Sequence, residues 1–231
     1  MTLETSDLRN ALVSRTLSPL NAIIDVEVAE RAGWTAIELA TACVNGGARF
    51  LQVRAKTLPS AAFIDLSSQI CEMAHRAGAT VIVNDRADVA RLSRADGLHV
   101  GQDDLPVAAA RAIMGDDAIV GTSTHSEPQI EAAMKQPVTY VAVGPVFGTS
   151  TKATGYSAVG VARVRYAAER LPGRTGPGAV VAIGGITLDN AAAVIDAGAT
   201  AVAVITDLLV TGDPETRVRA YLARLAGRGK V

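Results

Sequence analysis

Short apolar runs recur along the chain, separated by longer stretches in which apolar residues return every three or four positions. The runs are NAIIDV (21–26), ARFLQVR (48–54), ATVIVN (79–84), DGLHV (96–100), DAIVG (117–121), TYVAVG (139–144), AVVAIGG (179–185) and ATAVAVIT (199–206). Each has the continuous, β-branched or small-residue character of a strand covered on both faces. The intervening stretches read as amphipathic helices; in 59–76, Ala62, Leu66, Ile70 and Met73 predict the buried face. Gly46, Gly47, Gly78 and Gly198 stand where helices should stop, and Pro59, Pro106 and Pro214 where helices should begin. Strand and helix alternating about eight times predict a single-domain (β/α)8 TIM barrel, an α/β fold, over residues 20–226. Residues 1–19 form an N-terminal extension, in which Leu8, Ala11 and Leu12 predict a short helix plugging or flanking the barrel bottom. The competing doubly wound sheet usually carries G-x-G-x-x-G after its first strand, and none follows Ile24.

Composition narrows the functional classes. Of 231 residues 49% are hydrophobic and only 3% aromatic, which suits close helix-on-strand packing by Ala and Val. Basic and acidic residues number 22 and 23, giving a net charge of −1 with no basic block, so nucleic acid and anionic membrane surfaces are not expected partners. The most apolar segment, 191–210, is interrupted by Asp196, Gly198 and Asp207 and falls short of the roughly 18 apolar residues of a membrane span. The first fifteen residues lack the apolar core of a secretory signal, so a cytoplasmic protein is expected. Cys43 and Cys71 have no His or Cys at metal or redox spacing and read as buried, inert thiols. Ala-rich helix faces permit a homo-oligomer without specifying one.

The position shared by the polar residues carries the chemistry. In such a barrel the loops after the strands form a common mouth. There the sequence places Gln52, Arg54 and Lys56 after the second run, Asn84 and Asp85 after the third, and Gly101, Gln102, Asp103 and Asp104 after the fourth. Ser123, Thr124 and His125 follow the fifth, and the long loop 144–152, ending in Lys152, follows the sixth. Strand period turns Gln52, Arg54 and Lys56 inward, where cations need a carboxylate or a bound anion; internal pairing with Asp85 or Asp104 is the structural alternative. Asp85 with one of the pair Asp103 and Asp104 suits a single Mg²⁺ shared with phosphate oxygens, although either residue of that pair equally suits a helix cap ahead of Pro106. Gly184, Gly185, Ile205 and Thr206 fall in the loops that commonly hold a second phosphate. The mouth is thus expected to take two phosphorylated small molecules. His125 reads as a general acid/base or as a helix cap beside Ser126, His99 as a core residue and His75 as a surface residue at a helix end. No Ser/His/acid set for acyl transfer and no His cluster for zinc stands out.

The ordered stretches FLQVRAK, VIVNDR, GLHVGQDD, GTSTHS, GPVFGTSTK, VAIGGI and VAVITDL resemble the thiamine-phosphate synthase family over about residues 46–209. The resemblance implies a transferase that joins a hydroxymethylpyrimidine diphosphate to a thiazole phosphate, plain or carboxylated, releasing diphosphate. It implies that Gln52, Val53, Arg54, Ala55, Lys56, Asn84, Ser123 and Lys152 bind the pyrimidine diphosphate, with Arg54, Lys56, Ser123 and Lys152 catalytic. It further implies Asp85 and Asp104, rather than Asp103, as ligands of one Mg²⁺ per site, and Thr149, Ser150, Thr151, Gly185, Ile205 and Thr206 as the thiazole phosphate site. The first strand departs from the family's Leu-Tyr-x-x-Thr-Asp type of start: here it reads NAIIDVEVAERAGW, with Asp25 standing for the strand-end Asp and an altered loop behind it. A thiazole tautomerase and a non-catalytic barrel that senses a thiamine precursor are the rival functions. VIVNDR and VGQDD, both intact, weigh against both.

Overall fold

The computed structural model describes residues 17–148, 157–171 and 178–228. Its strands are β1 (Leu20–Asp25), β2 (Phe50–Arg54), β3 (Thr80–Asn84), β4 (Gly97–Val100), β5 (Ile119–Thr124), β6 (Tyr140–Val143), β7 (Ala179–Ile183) and β8 (Ala201–Val204). Every neighbouring pair is parallel and β8 pairs with β1, so the sheet closes into the expected barrel. Around it lie α1 (Val26–Arg31), α2 (Ala36–Asn45), α3 (Ser60–Arg76), α4 (Ala87–Leu92), α5 (Val107–Met114), α6 (Glu127–Ala133), α7 (Gly160–Glu169), α8 (Ala191–Asp196) and α9 (Pro214–Leu225). No helix among the described residues is long and apolar enough to cross a membrane.

Strand period sorts the core into two layers. Leu20, Ala22 and Ile24 of β1, Leu51 and Val53 of β2, and Val81 and Val83 of β3 face outward into the shell beneath the helices. Ile23, Phe50, Ile82, Tyr140 and a set of small residues, Ala142, Ala179, Ala201 and Ala203, fill the barrel interior. Leu17 joins this inner layer just before β1. It lies at the end of the interior opposite the strand-end mouth; Leu8, Ala11 and Leu12, on which the expectation of a plugging or flanking helix rests, lie outside the described residues.

Two details differ from the sequence expectation. The buried face of α3 is Phe63, Ser67, Ile70, Cys71 and Ala74, while Ala62 is exposed and Leu66 and Met73 are only partly buried. Small residues at 67 and 74 let this helix lie close to the strands, which turns the larger Leu66 and Met73 toward its flanks. Pro59 and Pro106 occupy the capping position just before α3 and α5, whereas Pro214 is the first residue of α9. Gly47, Gly78 and Gly198 do end helices, each with φ in the left-handed region (102°, 68° and 103°). Cys43 and Cys71 are buried free thiols, and burial pushes both up to about 12, far from reactivity.

Candidate active site at the strand-end mouth

Register places the site before any side chain is considered. Asp25 is the cross-strand neighbour of Arg54, and Asn84 that of His99. The inward parity that puts Phe50 in the barrel interior also turns Gln52 and Arg54 inward, and that of Ile82 turns Asn84 inward. Gln52 and Asn84 are buried. Ser123 lies inside β5, which runs to Thr124, rather than in the loop beyond it. Val53 has the opposite parity and its side chain is buried in the outer shell, with Ala55 packed against the same shell; both can serve the mouth only through their backbones.

The cations are internally paired. Arg54 forms an ion pair with Asp25, whose other oxygen accepts the Val28 amide at 3.0 Å and caps α1. The Arg54 Nε is nevertheless buried without a hydrogen-bond partner among the described residues. Lys56, half exposed, pairs with Asp85. Its backbone is fixed by Glu27, whose Oε1 accepts from the amides of Lys56 (2.7 Å) and Thr57 (2.9 Å) and from the Thr57 hydroxyl (3.0 Å). Burial would push the Glu27 carboxyl up, but these hydrogen bonds outweigh it and hold the group below the usual carboxylate range. The end of β1 and the first turn of α1 therefore supply Asp25 and Glu27, the two carboxylates that order the segment carrying Arg54 and Lys56.

Asp85 and Asp104 are brought together, and Asp103 is not. Asp85 adopts a left-handed backbone, φ 66°, immediately after β3, a conformation rare outside glycine and held by the surrounding structure. Asp104 folds back to accept the Gly101 amide at 2.8 Å, while Asp103 is exposed. Neither caps α5, whose capping residue is Pro106 with no side-chain bond. Burial and the adjoining Asp104 carboxylate push Asp85 up against the pull of Lys56. Burial acts the same way on Asp104, but its contacts with Asp85 and the Gly101 amide, and the Lys56 charge, hold it down. One oxygen-rich pair with unequal proton affinities, beside the Lys56 cation, fits a hard divalent cation that completes its shell with water and phosphate oxygens. No group of three or more His, Cys, Asp or Glu able to hold a metal occurs among the described residues.

On the far side of the mouth the loops after β6, β7 and β8 pack on one another. The amides of Val146 and Phe147 donate to the carbonyls of Ile183 and Gly184, each at 2.9 Å. Gly185, φ 62°, is so close that a Cβ would stand 2.5 Å from the Gly148 carbonyl oxygen. Only glycine fits this position. Ile205 packs partly against the barrel interior and Thr206 opens a 3₁₀ turn. Behind them Asp207 accepts from the Leu188 amide, Arg217 and the Tyr221 hydroxyl, tying both loops to α9. Thr149, Ser150, Thr151 and Lys152 lie outside the described residues.

His75 and His99 take the surface and core positions expected of them. His125 is not the helix cap: Ser126 is, accepting the Gln129 amide, while the His125 Nδ1 lies 2.6 Å from the Gly144 carbonyl at the start of the long loop. His75 pairs with Asp96 at the surface. His99 is buried as expected, but it faces Ser123 at 2.9 Å and Tyr140 at 2.8 Å. Asp25, Glu27 and Tyr140 were not visible as site residues because their partners come from other strands; the strand-end position of Asp25 was the only sequence signal.

Comparison with known proteins gives the family and the fold. A family model described as thiamine monophosphate synthase matches residues 20–208. The thiamine-phosphate synthase of Acidothermus cellulolyticus is 43% identical over 186 residues, covering 80% of this chain and 85% of that protein. That of Thermosynechococcus vestitus is 40% identical over 190 residues, 82% of this chain but 52% of a longer protein. A thiamine phosphate pyrophosphorylase structure from Pyrococcus furiosus superposes with a TM-score of 0.80 at 26% identity, covering 95% of this chain and all of that one (100%). The chain belongs to the thiamine monophosphate synthase family.

Proposed function

We propose that the mouth of this barrel transfers a pyrimidinylmethyl group from its diphosphate to the ring nitrogen of a thiazole phosphate, yielding thiamine phosphate and free diphosphate. The observation that carries the reading is the convergence of Arg54, with its unpartnered buried Nε, Lys56, Asn84 and Ser123 beside the Asp85 and Asp104 pair.

Asp85 and Asp104 would hold one Mg²⁺, which when bound supplies positive charge next to the diphosphate oxygens. Arg54 and Lys56, with Lys152 from the long loop, compensate the negative charge that builds on the departing diphosphate. On ligand binding Arg54 offers its Nε while its Asp25 partner keeps the guanidinium aimed at the mouth. Gln52, Asn84 and Ser123, with the backbone of Val53 and Ala55, orient the pyrimidine and its diphosphate. As the C–O bond breaks, its electron pair leaves with diphosphate and the aminopyrimidine ring supports the cation left on the methylene. The thiazole nitrogen then donates its lone pair to that carbon. Gly185, Ile205 and Thr206, with Thr149, Ser150 and Thr151, grip the thiazole phosphate and make the capture effectively unimolecular. No protein nucleophile is needed.

Asp85→Asn keeps a residue that tolerates the left-handed backbone while removing the charge. We expect it, and Lys152→Ala, to lower turnover by orders of magnitude with unchanged thermal stability. Full activity of either variant in a coupled diphosphate-release assay contradicts these roles.

A further inference from the structure

We propose that His99 and Tyr140 are positioning residues that turn the Ser123 hydroxyl into an obligate hydrogen-bond donor toward the mouth, by fixing His99 in the tautomer that carries its proton on Nε2. The inference rests on the assignment of Ser123 to the diphosphate site.

Register sets up the arrangement. His99 of β4, Gly121 of β5 and Tyr140 of β6 are successive cross-strand neighbours, so they lie in one row around the barrel. Ser123 is two residues beyond Gly121 on the same strand and the same face, one layer nearer the mouth. Gly121 opens the row: a Cβ there would stand 2.0 Å from the Tyr140 Cζ, so the phenol ring occupies the space that any side chain would fill. The ring thereby reaches across β5 to His99, with its hydroxyl 2.8 Å from Nδ1 and the two ring planes within 14° of parallel. Phe50 meets the same ring edge-on at 86° and blocks its retreat into the barrel.

Proton accounting then fixes the tautomer. Tyr140 is fully buried, and burial pushes its hydroxyl far above the ordinary phenol value, so it keeps its proton. That proton needs an acceptor, and Nδ1 stands at hydrogen-bond distance. A proton on Nδ1 would leave two donors facing one another and the phenolic hydrogen stranded in the core. With Nδ1 accepting, the imidazole proton sits on Nε2, 2.9 Å from the Ser123 Oγ, and donates to it. The single hydroxyl proton of Ser123 is then directed away from His99. Gln102 adds a second restraint, its Nε2 donating to the Ser123 carbonyl at 2.5 Å. A preset O–H donor facing a phosphate oxygen makes a charge-assisted bond that strengthens as negative charge accumulates on the leaving group.

Long-range ¹H–¹⁵N spectra of the full-length protein labelled at the imidazole nitrogens test the proposal without substrate. The His99 resonances, identified by their loss in His99→Gln, should show a protonated Nε2 and a bare Nδ1, and Tyr140→Phe should release the Nδ1-protonated form. A protonated Nδ1 in the wild type overturns the proposal. In turnover, Tyr140→Phe should lower kcat about two- to tenfold with KM little changed, and should cost nothing further in a Ser123→Ala background. Losses that add in the double variant overturn it as well. The tautomer is read without any reaction, so failure of the assigned activity would be recognised separately as a wild type that releases no diphosphate.

Discussion

Asp25 does two things with one carboxylate: it caps α1 through the Val28 amide and it pairs with Arg54. Both partners are nearly inaccessible, with side-chain exposures of 1% and 12%. Asp25→Asn keeps a capping oxygen but leaves the guanidinium without its counter-charge, and the loss expected for breaking such a buried pair is about 3–5 kcal/mol. Urea denaturation measures it, and the same variant should raise KM for the pyrimidine diphosphate because Arg54 is no longer aimed. The sequence made the strand-end position of Arg54, Lys56, Asn84, Asp85 and Ser123 legible because each stands at or just beyond the end of an apolar run. It left Asp103 and Asp104 undivided on spacing alone, since the choice depends on a fold-back onto the Gly101 amide that no periodicity records. It also left the pairing of Arg54 with Asp25 unseen, because cross-strand register is set by barrel closure rather than by local pattern.

The decisive element is the segment from β2 to α3, held from the outside by Glu27. Removing that acceptor charge in Glu27→Gln weakens three hydrogen bonds, and we expect KM for the pyrimidine diphosphate to rise about tenfold, equivalent to ~1.4 kcal/mol, with KM for the thiazole phosphate unchanged. The carboxyl is held below its usual range, so its stabilising effect is complete above that range and disappears as pH falls through the lowered value. The stability difference between wild type and Glu27→Gln in urea should therefore shrink under acid conditions; a difference that stays constant contradicts the role of the charge. All eight strands were legible as apolar runs, with ends that coincide or shift by up to three residues. The face of α3 was not, because Ser67 sits at the centre of its buried stripe and interrupts the apolar period.

At the scale of the molecule, near-neutral net charge conceals a segregation. Arg54, Lys56, Asp25, Glu27, Asp85 and Asp104 gather at one end of a barrel whose interior is lined by alanines at 142, 179, 201 and 203. Among so many small residues, Phe50 and Tyr140 are the largest side chains of the interior, beside Ile23 and Ile82. Phe50→Ala should destabilise the fold by about 3–5 kcal/mol, read as a lowered urea midpoint with unchanged slope, whereas a near-neutral effect would mean the interior can collapse around the gap. The small-residue composition thus predicted helix-on-strand packing correctly, while the placement of Phe50 and Tyr140 in the inner layer became visible only when strand parity separated the layers. The central claim is that this mouth holds two phosphorylated ligands at once and expels diphosphate from one of them. The most direct measurement is diphosphate release by the purified full-length protein as a function of Mg²⁺ and of each substrate. Release should require the pyrimidine diphosphate, the thiazole phosphate and Mg²⁺ together, with thiamine phosphate formed in equal amount. Isomerisation of the thiazole phosphate alone, or tight binding of both ligands without release, would contradict it.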